Sequence, residues 1–174
     1  MADLTIGIFS EDAEYDLSDF DCGEESLNNF LTAHLARQHK NRILRAYLLM
    51  TKEPIQKVVG YYTLSGCSFE KETLPSNTWK RKVPYENVPG ITLGRLAVHK
   101  DLQGQEWGTT LVIHAMSVVF HASKTVGVHA MFVDALNERA KQFYLKLDFI
   151  SLTGDNANSL FLPTKSIEEL FAHQ

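Results

Sequence analysis

Two cysteines, two tryptophans and five prolines are spread thinly through this 174-residue chain. Cys22 and Cys67 form no C-x-x-C pair, which removes dithiol redox and ribbon-type zinc sites and reads as two reduced thiols in a cytoplasmic protein. The seven histidines include no H-E-x-x-H and no Cys/His ligand spacing, so no metal site is expected. No run of eighteen apolar residues occurs, which excludes a spanning helix. The start, Met1-Ala2-Asp3-Leu4, lacks the basic and apolar regions of a signal peptide. With no repeat, linker or low-complexity tract, and with 44% hydrophobic residues, residues 1–174 are expected to form a single domain with a real core.

Positive charge is missing from one end. The first thirty residues hold nine acidic and no basic side chains, whereas residues 31–100 hold twelve basic against four acidic, and the net charge of −4 hides the contrast. A middle third of this kind can offer a positive face to an anionic partner, although its charges can equally balance in three dimensions.

The periodicity is that of an α/β chain. Residues 4–9 alternate as a strand, and Asp21-Cys22-Gly23-Glu24 resembles a capping box before a helix with Leu27, Phe30, Leu31, His34 and Leu35 on one face. Ile43–Met50 and Val58–Ser65 read as strands, Pro75–Pro89 as a basic loop, and Ile91–Val98 as a third long strand. A helix is predicted from Gly104 to about His121, with Leu111, Val112, Ala115, Met116 and Val119 inward. Val128–Asp134 is an apolar strand and Asn137–Leu147 a helix. Phe149–Leu152 and Asn158–Leu162 close the sheet, and Ser166-Ile167-Glu168-Glu169 caps a last helix. The expected architecture is α/β, with a central mixed, mostly antiparallel sheet flanked by helices on both faces.

The most informative stretch runs from Leu93 to Gly108. A buried strand gives way to a short polar link and a Gly-rich turn that leads into the long apolar helix. Backbone N–H groups gathered at such a helix start suit an anion like a pyrophosphate.

Arg95-Leu96-Ala97-Val98, Gln103-Gly104-Gln105-Glu106-Trp107-Gly108, Asn137 and Phe143-Tyr144 together resemble the GNAT N-acetyltransferase superfamily, whose acyl-CoA signature is Gln/Arg-x-x-Gly-x-Gly/Ala. Phe20-Asp21-Cys22-Gly23 with Leu27 and Phe30-Leu31, Gly60-Tyr61-Tyr62-Thr63-Leu64 and Gly94–Val98 narrow this further. They are similar to the GNAT toxins of bacterial toxin–antitoxin operons, which acetylate the α-amino group of the amino acid on charged tRNA. The resemblance implies acetyl-CoA as cosubstrate, held by Leu96, Ala97, Val98, the backbone from Gln103 to Thr109, Asn137 and Phe143. It also implies a neighbouring ribbon-helix-helix antitoxin, operator DNA bound only through that antitoxin, a homodimer and no membrane.

Acetyl transfer needs an anchored coenzyme, a donor for the developing oxyanion and a proton for the departing sulfur. The resemblance gives the oxyanion to the Val98 N–H and the proton to Tyr144, a phenol of pKa about 10 matched to a thiolate of similar basicity. Without the resemblance, Val98 reads as buried strand, Tyr144 as a packed helix-face ring and Asn137 as an N-cap. No carboxylate or imidazole stands out as general base. That suits an α-amine of pKa about 7.7–8.0, lowered further by esterification, better than a lysine near 10.4. Arg37, Lys40, Arg42, Arg45, Lys80, Arg81, Lys82 and Arg95, with Trp79 and Tyr85 interleaved, are the candidate tRNA contacts, the basic groups for phosphate and the rings for stacking.

Two positions depart from the family pattern. Asp148 replaces a glycine at the end of Phe-Tyr-x-x-x-Gly-Phe, a place where Asp tolerates left-handed geometry. Glu106 replaces the first signature glycine and sets a carboxylate where phosphates should lie, so an attenuated enzyme is expected. Acetylation of a protein or small-molecule amine, or a degenerate non-catalytic domain held by an antitoxin, are the alternatives.

Overall fold

The computed structural model describes residues 3–172. In chain order its elements are β1 (Leu4–Ile8), β2 (Tyr15–Asp16), α1 (Glu25–Ala33), α2 (Leu35–Lys40), β3 (Arg45–Thr51), β4 (Gln56–Glu70) and α3 (Asn77–Lys80). They continue with β5 (Asn87–Val98), α4 (Trp107–Ser123), β6 (Ala130–Asp134), α5 (Glu138–Leu145), β7 (Ile150–Ser151), β8 (Ser159–Pro163) and α6 (Thr164–Ala172). The strand path is β1-β3-β4-β5-β6-β8-β7, with β2 beside β4. This is the mixed, mostly antiparallel sheet expected from the sequence. The residues cluster into two compact units, one running up to Ser65 and including Gly94–His114, the other Gly66–Leu93 with the chain from Ala115 onward.

In the first unit β1 pairs antiparallel with β3, and β3 with β4 from Arg45↔Leu64 to Met50↔Val58. Neighbouring residues of a strand point to opposite faces, and Tyr61 and Tyr62 on β4 show what covers each. Tyr61 joins Phe30, Leu31, Leu35, Ala46 and Leu48 in an apolar cluster, and its hydroxyl donates to the Leu27 carbonyl at 2.7 Å. Each such buried leucine or ring contributes about 1.5–3 kcal/mol. Tyr62 lies under α4 instead, with its hydroxyl 2.6 Å from His114 Nδ1 and its ring stacked on Tyr47 at 4.9 Å. Helices thus cover both faces. On α4 the five residues read as inward are all buried.

In the second unit β6 pairs antiparallel with β8 from Ala130↔Pro163 to Asp134↔Ser159. Phe69, Leu74, Val83, Val88, Ala130, Leu152 and Phe161 form its core, against which Trp79 packs.

Three helix starts differ from the sequence reading. The Asp21 carboxylate accepts from the Gly23 N–H at 2.9 Å and from Asn28 Nδ2 at 3.1 Å, so it shapes a turn rather than a capping box, and α1 begins at Glu25. The left-handed residues Gly104 and Glu106 delay α4 to Trp107. The last helix starts directly after β8 at Thr164, which places Ser166 inside it and leaves it no cap role. The first helix also breaks at His34, whose φ of −129° is not helical.

Burial depresses the basicity of His39, His114 and His129 below the ordinary imidazole value of 6.5; beyond burial, Arg45 then lowers His39 and Lys82 lowers His129. The folded chain therefore refuses protons that the unfolded chain accepts. Stability is intact above about pH 6.5 and falls as the pH drops below it towards the folded values. Thermal unfolding followed between about pH 7.5 and 5.5 is expected to show a falling Tm, with a shallower slope for His114→Gln. A Tm that is flat or rising on acidification contradicts this.

No helix among the described residues is long and apolar enough to cross a membrane.

Candidate active site

In the first unit, the end of β5 lies hard against β4. The Arg95 N–H is taken by the Thr63 hydroxyl at 3.1 Å, and a Cβ on Gly94 would stand 2.9 Å from that same oxygen. Only glycine fits the close approach at position 94. Of the residues expected to line a coenzyme here, Ala97 and Val98 are buried and Leu96 is half-buried. The strand ends at Val98 and is followed by His99, whose N–H bonds to the Val59 carbonyl at 2.8 Å.

Beyond His99 the chain makes a 3₁₀ turn at Lys100–Leu102 and then opens. The N–H groups of Leu102 and Gln103 are bonded to the carbonyls of His99 and Lys100, and that of Thr110 to Glu106, whereas those from Gly104 to Thr109 find no acceptor among the described residues. A row of unsatisfied donors at the positive end of a seventeen-residue helix is a cradle that suits an anion. Gln103, Gly104, Gln105, Glu106, Trp107, Gly108 and Thr109, the residues expected to hold the coenzyme, make up this stretch. The Gln103 amide points inward, donating to the Cys22 carbonyl at 2.8 Å and the Val98 carbonyl at 2.9 Å.

Glu106 sits in this row with φ +66°, the region that costs a side-chain-bearing residue about 1–2 kcal/mol. Its carbonyl accepts from the Thr110 N–H and hydroxyl at 3.0 and 3.1 Å. Its carboxylate is exposed and forms no ion pair among the described residues.

In the second unit, β5 pairs in parallel with β6 at Gly90↔Ala130, Ile91↔Met131 and Thr92↔Phe132, where the pairing stops. Following β6, Asn137 caps α5 by accepting from the Ala140 N–H at 2.9 Å. This is the structural role foreseen for it, and it leaves the side-chain amide hydrogens free. Tyr144 is 5% exposed, its ring edge-on to Phe143 at 5.1 Å and to Phe149 at 5.3 Å. Its hydroxyl has no hydrogen-bond partner among the described residues, and it is not sealed, since His129 Nε2 alone stands as a buried polar atom without a partner. Burial raises the phenol well above its usual range, so it stays protonated at any physiological pH. Asp148 takes φ +70° at the end of α5, and the Phe149 N–H returns to the Tyr144 carbonyl at 3.2 Å, the left-handed closure that glycine usually provides.

The basic residues occupy varied settings. In the first unit Arg37, Lys40 and Arg42 are exposed, Arg45 is turned inward to the carbonyls of His39 and Leu44, and Arg95 lies over the Phe30 ring at 3.8 Å. In the second, Lys80 pairs with Glu72 at 3.2 Å, Arg81 is exposed, and Lys82 covers Trp79 at 4.6 Å. Trp79 is half-buried and edge-on to Phe161 at 5.4 Å, so the core takes one side of the ring and it is not the free stacking platform expected. Tyr85, 73% exposed, remains available. Lys71 and Asn77, not singled out from the sequence, join Lys80 and Arg81 around an open cavity of about 590 Å³. Only the fold of this loop reveals them.

The chain belongs to the GNAT acetyltransferases: residues 45–151 match the model of the acetyltransferase (GNAT) domain family. It is therefore an enzyme of the acetyl-CoA-dependent class. A tRNA-acetylating toxin of Mycobacterium tuberculosis is 31% identical over 134 residues, which is 77% of this chain and 78% of that protein. Two solved structures are nearer. AtaT complexed with acetyl-methionyl-tRNAfMet is 60% identical, covers 97% of this chain and 99% of its own, and superposes with a TM-score of 0.93. A mutant AtaT toxin bound to the C-terminus of the antitoxin AtaR and to acetyl-CoA is 56% identical, with coverage of 97% and 98% and a TM-score of 0.86.

Proposed function

We propose that this acetyltransferase moves the acetyl group of acetyl-CoA onto the α-amino group of an amino acid esterified to tRNA, and so acts as a toxin that blocks translation. The observation that carries the reading is the row of unbonded N–H groups from Gly104 to Thr109, built into a chain so close to one solved with an acetylated aminoacyl-tRNA. The diphosphate of the coenzyme would take those donors. The amine nitrogen attacks the thioester carbonyl, and the oxyanion is received by the Val98 N–H. When the carbon–sulfur bond breaks, Tyr144 gives its proton to the thiolate, and the proton lost by the amine returns to solvent. The tRNA acceptor is met by Arg37, Lys40, Arg42, Lys80, Arg81, Lys82 and Arg95, with the salt sensitivity that phosphate contacts bring.

Glu106 attenuates this form by strain and by repelling the diphosphate. Regulation follows from the toxin reading: a ribbon-helix-helix antitoxin neutralises the chain and carries it to operator DNA. The working state is a cytoplasmic homodimer.

Incubating the Glu106→Gly protein with acetyl-CoA and a pool of charged tRNA, then reading the nuclease digest by mass spectrometry, is expected to yield N-acetyl-aminoacyl-adenosine. Acetyl groups found only on protein lysines or polyamines overturn the substrate assignment.

A further inference from the structure

The Asp21-Cys22-Gly23 turn takes no part in the chemistry described so far, yet it is tied at several points to the segment that leads into the cradle. The Asp19 carbonyl accepts from His99 Nε2 at 2.9 Å; Nδ1 of the same ring accepts from the Asp101 N–H at 3.1 Å, which fixes the tautomer. The Asp21 carbonyl accepts from the Lys100 N–H at 2.8 Å, and its carboxylate pairs with Lys100 Nζ at 3.1 Å. The Cys22 carbonyl takes the Gln103 amide at 2.8 Å.

The turn is itself anchored to α1. Asn28 accepts from the Cys22 N–H at 2.9 Å and donates to the Asp21 carboxylate at 3.1 Å. Gly23, at φ +91°, directs its own N–H to the same carboxylate. Asp21 is thus the side chain through which α1, the turn and Lys100 meet, all within one compact unit.

We propose that Asp21 is a positioning residue for the coenzyme loop: clamped between Asn28 and Lys100, it sets the path of His99–Gln103 and so aims the free N–H groups from Gly104 to Thr109. The proposal rests on the reading of that loop as the diphosphate site. A cradle of backbone donors binds tightly only when its donors are held in place before the anion arrives. Here two left-handed residues follow the segment directly, at φ +81° and +66°, and small changes in its path would swing them apart.

The test uses the Glu106→Gly protein as parent. The Asp21–Lys100 pair is exposed, so Asp21→Asn and Lys100→Met are each expected to raise Kd and KM for acetyl-CoA about twofold to fivefold, with kcat at saturating acetyl-CoA unchanged. The double variant should lose no more than either single one, because both act through one contact. The conservative Lys100→Arg, which keeps a cation for the Asp21 carboxylate and leaves its bonds to Gly23 and Asn28 intact, should restore most of the affinity. A purely structural role would lower Tm and kcat together, without a KM-selective effect and without rescue. Unchanged coenzyme affinity in both single variants, or loss without rescue, overturns the proposal while leaving the loop assignment intact. A parent that itself fails to bind acetyl-CoA overturns the loop assignment and the proposal with it.

Discussion

Replacing Glu106 with glycine is expected to raise affinity for acetyl-CoA by about tenfold to a hundredfold and to convert a tolerated protein into one that arrests growth. Two charges about 5 Å apart repel by about 3 kcal/mol at an effective dielectric near 20, and by about 1 kcal/mol when well solvated. The carboxylate is exposed, so the true cost lies between these figures, and a diphosphate presents it with more than one partner. A helix N-terminus returns at most about 1 kcal/mol to a nearby Glu. The backbone adds a second, separable effect, because φ +66° suits glycine. Glu106→Gln removes the charge but keeps the strain and the bulk. It should recover most of the affinity with little change in Tm, whereas glycine should recover affinity and raise Tm as well. Isothermal titration and thermal melting of the three proteins read both effects. Equal coenzyme affinity in the parent and the glycine variant removes the attenuation claim.

The second large effect is expected from Tyr144→Phe in the same glycine background: kcat falls about 10²–10⁴-fold, while KM for acetyl-CoA moves little. The substitution is clean. The ring contacts with Phe143 and Phe149 survive, and the lost hydroxyl has no partner among the described residues, so Tm should stay within a degree or two. Burial raises the phenol, which keeps its proton in place and rules it out as a base. It also lifts the phenol above the thiolate it was matched to, so the proton moves only as charge develops on the departing sulfur. The rate should therefore show no loss attributable to Tyr144 ionisation up to about pH 9. Turnover near that of the parent would strip Tyr144 of its role.

The sequence carried the fold where period and length were decisive. The apolar stripe of α4 is buried as expected, and the run read as a strand over Val128–Asp134 is one from Ala130 onward. Boundaries failed where a polar side chain had two possible partners. Asp21 looked like a helix cap until Lys100, far along the chain, claimed its carboxylate. The Gly23 N–H first, then Lys100 and Asn28, hold its pKa down to about 2. Trp79 failed for a related reason. Its neighbours in sequence are basic, but in the fold Phe161 and the apolar core take one side of the ring while Lys82 lies over its face. The site was legible as a motif because backbone donors need only glycines and a helix to follow. The bracing of that motif was not, since it depends on carbonyls, which no residue type announces.

Gln103 changes what the motif means. Its amide is consumed by two carbonyls of its own chain, so selection for folding alone would preserve it after every trace of coenzyme use had gone. An arginine, the other residue the signature admits, also offers several N–H donors at that place. A search keyed to this first letter therefore counts intact scaffolds, living and retired alike. On the proposed reading, the letter three places on, Glu106 here, is the one that would separate working copies from silenced ones.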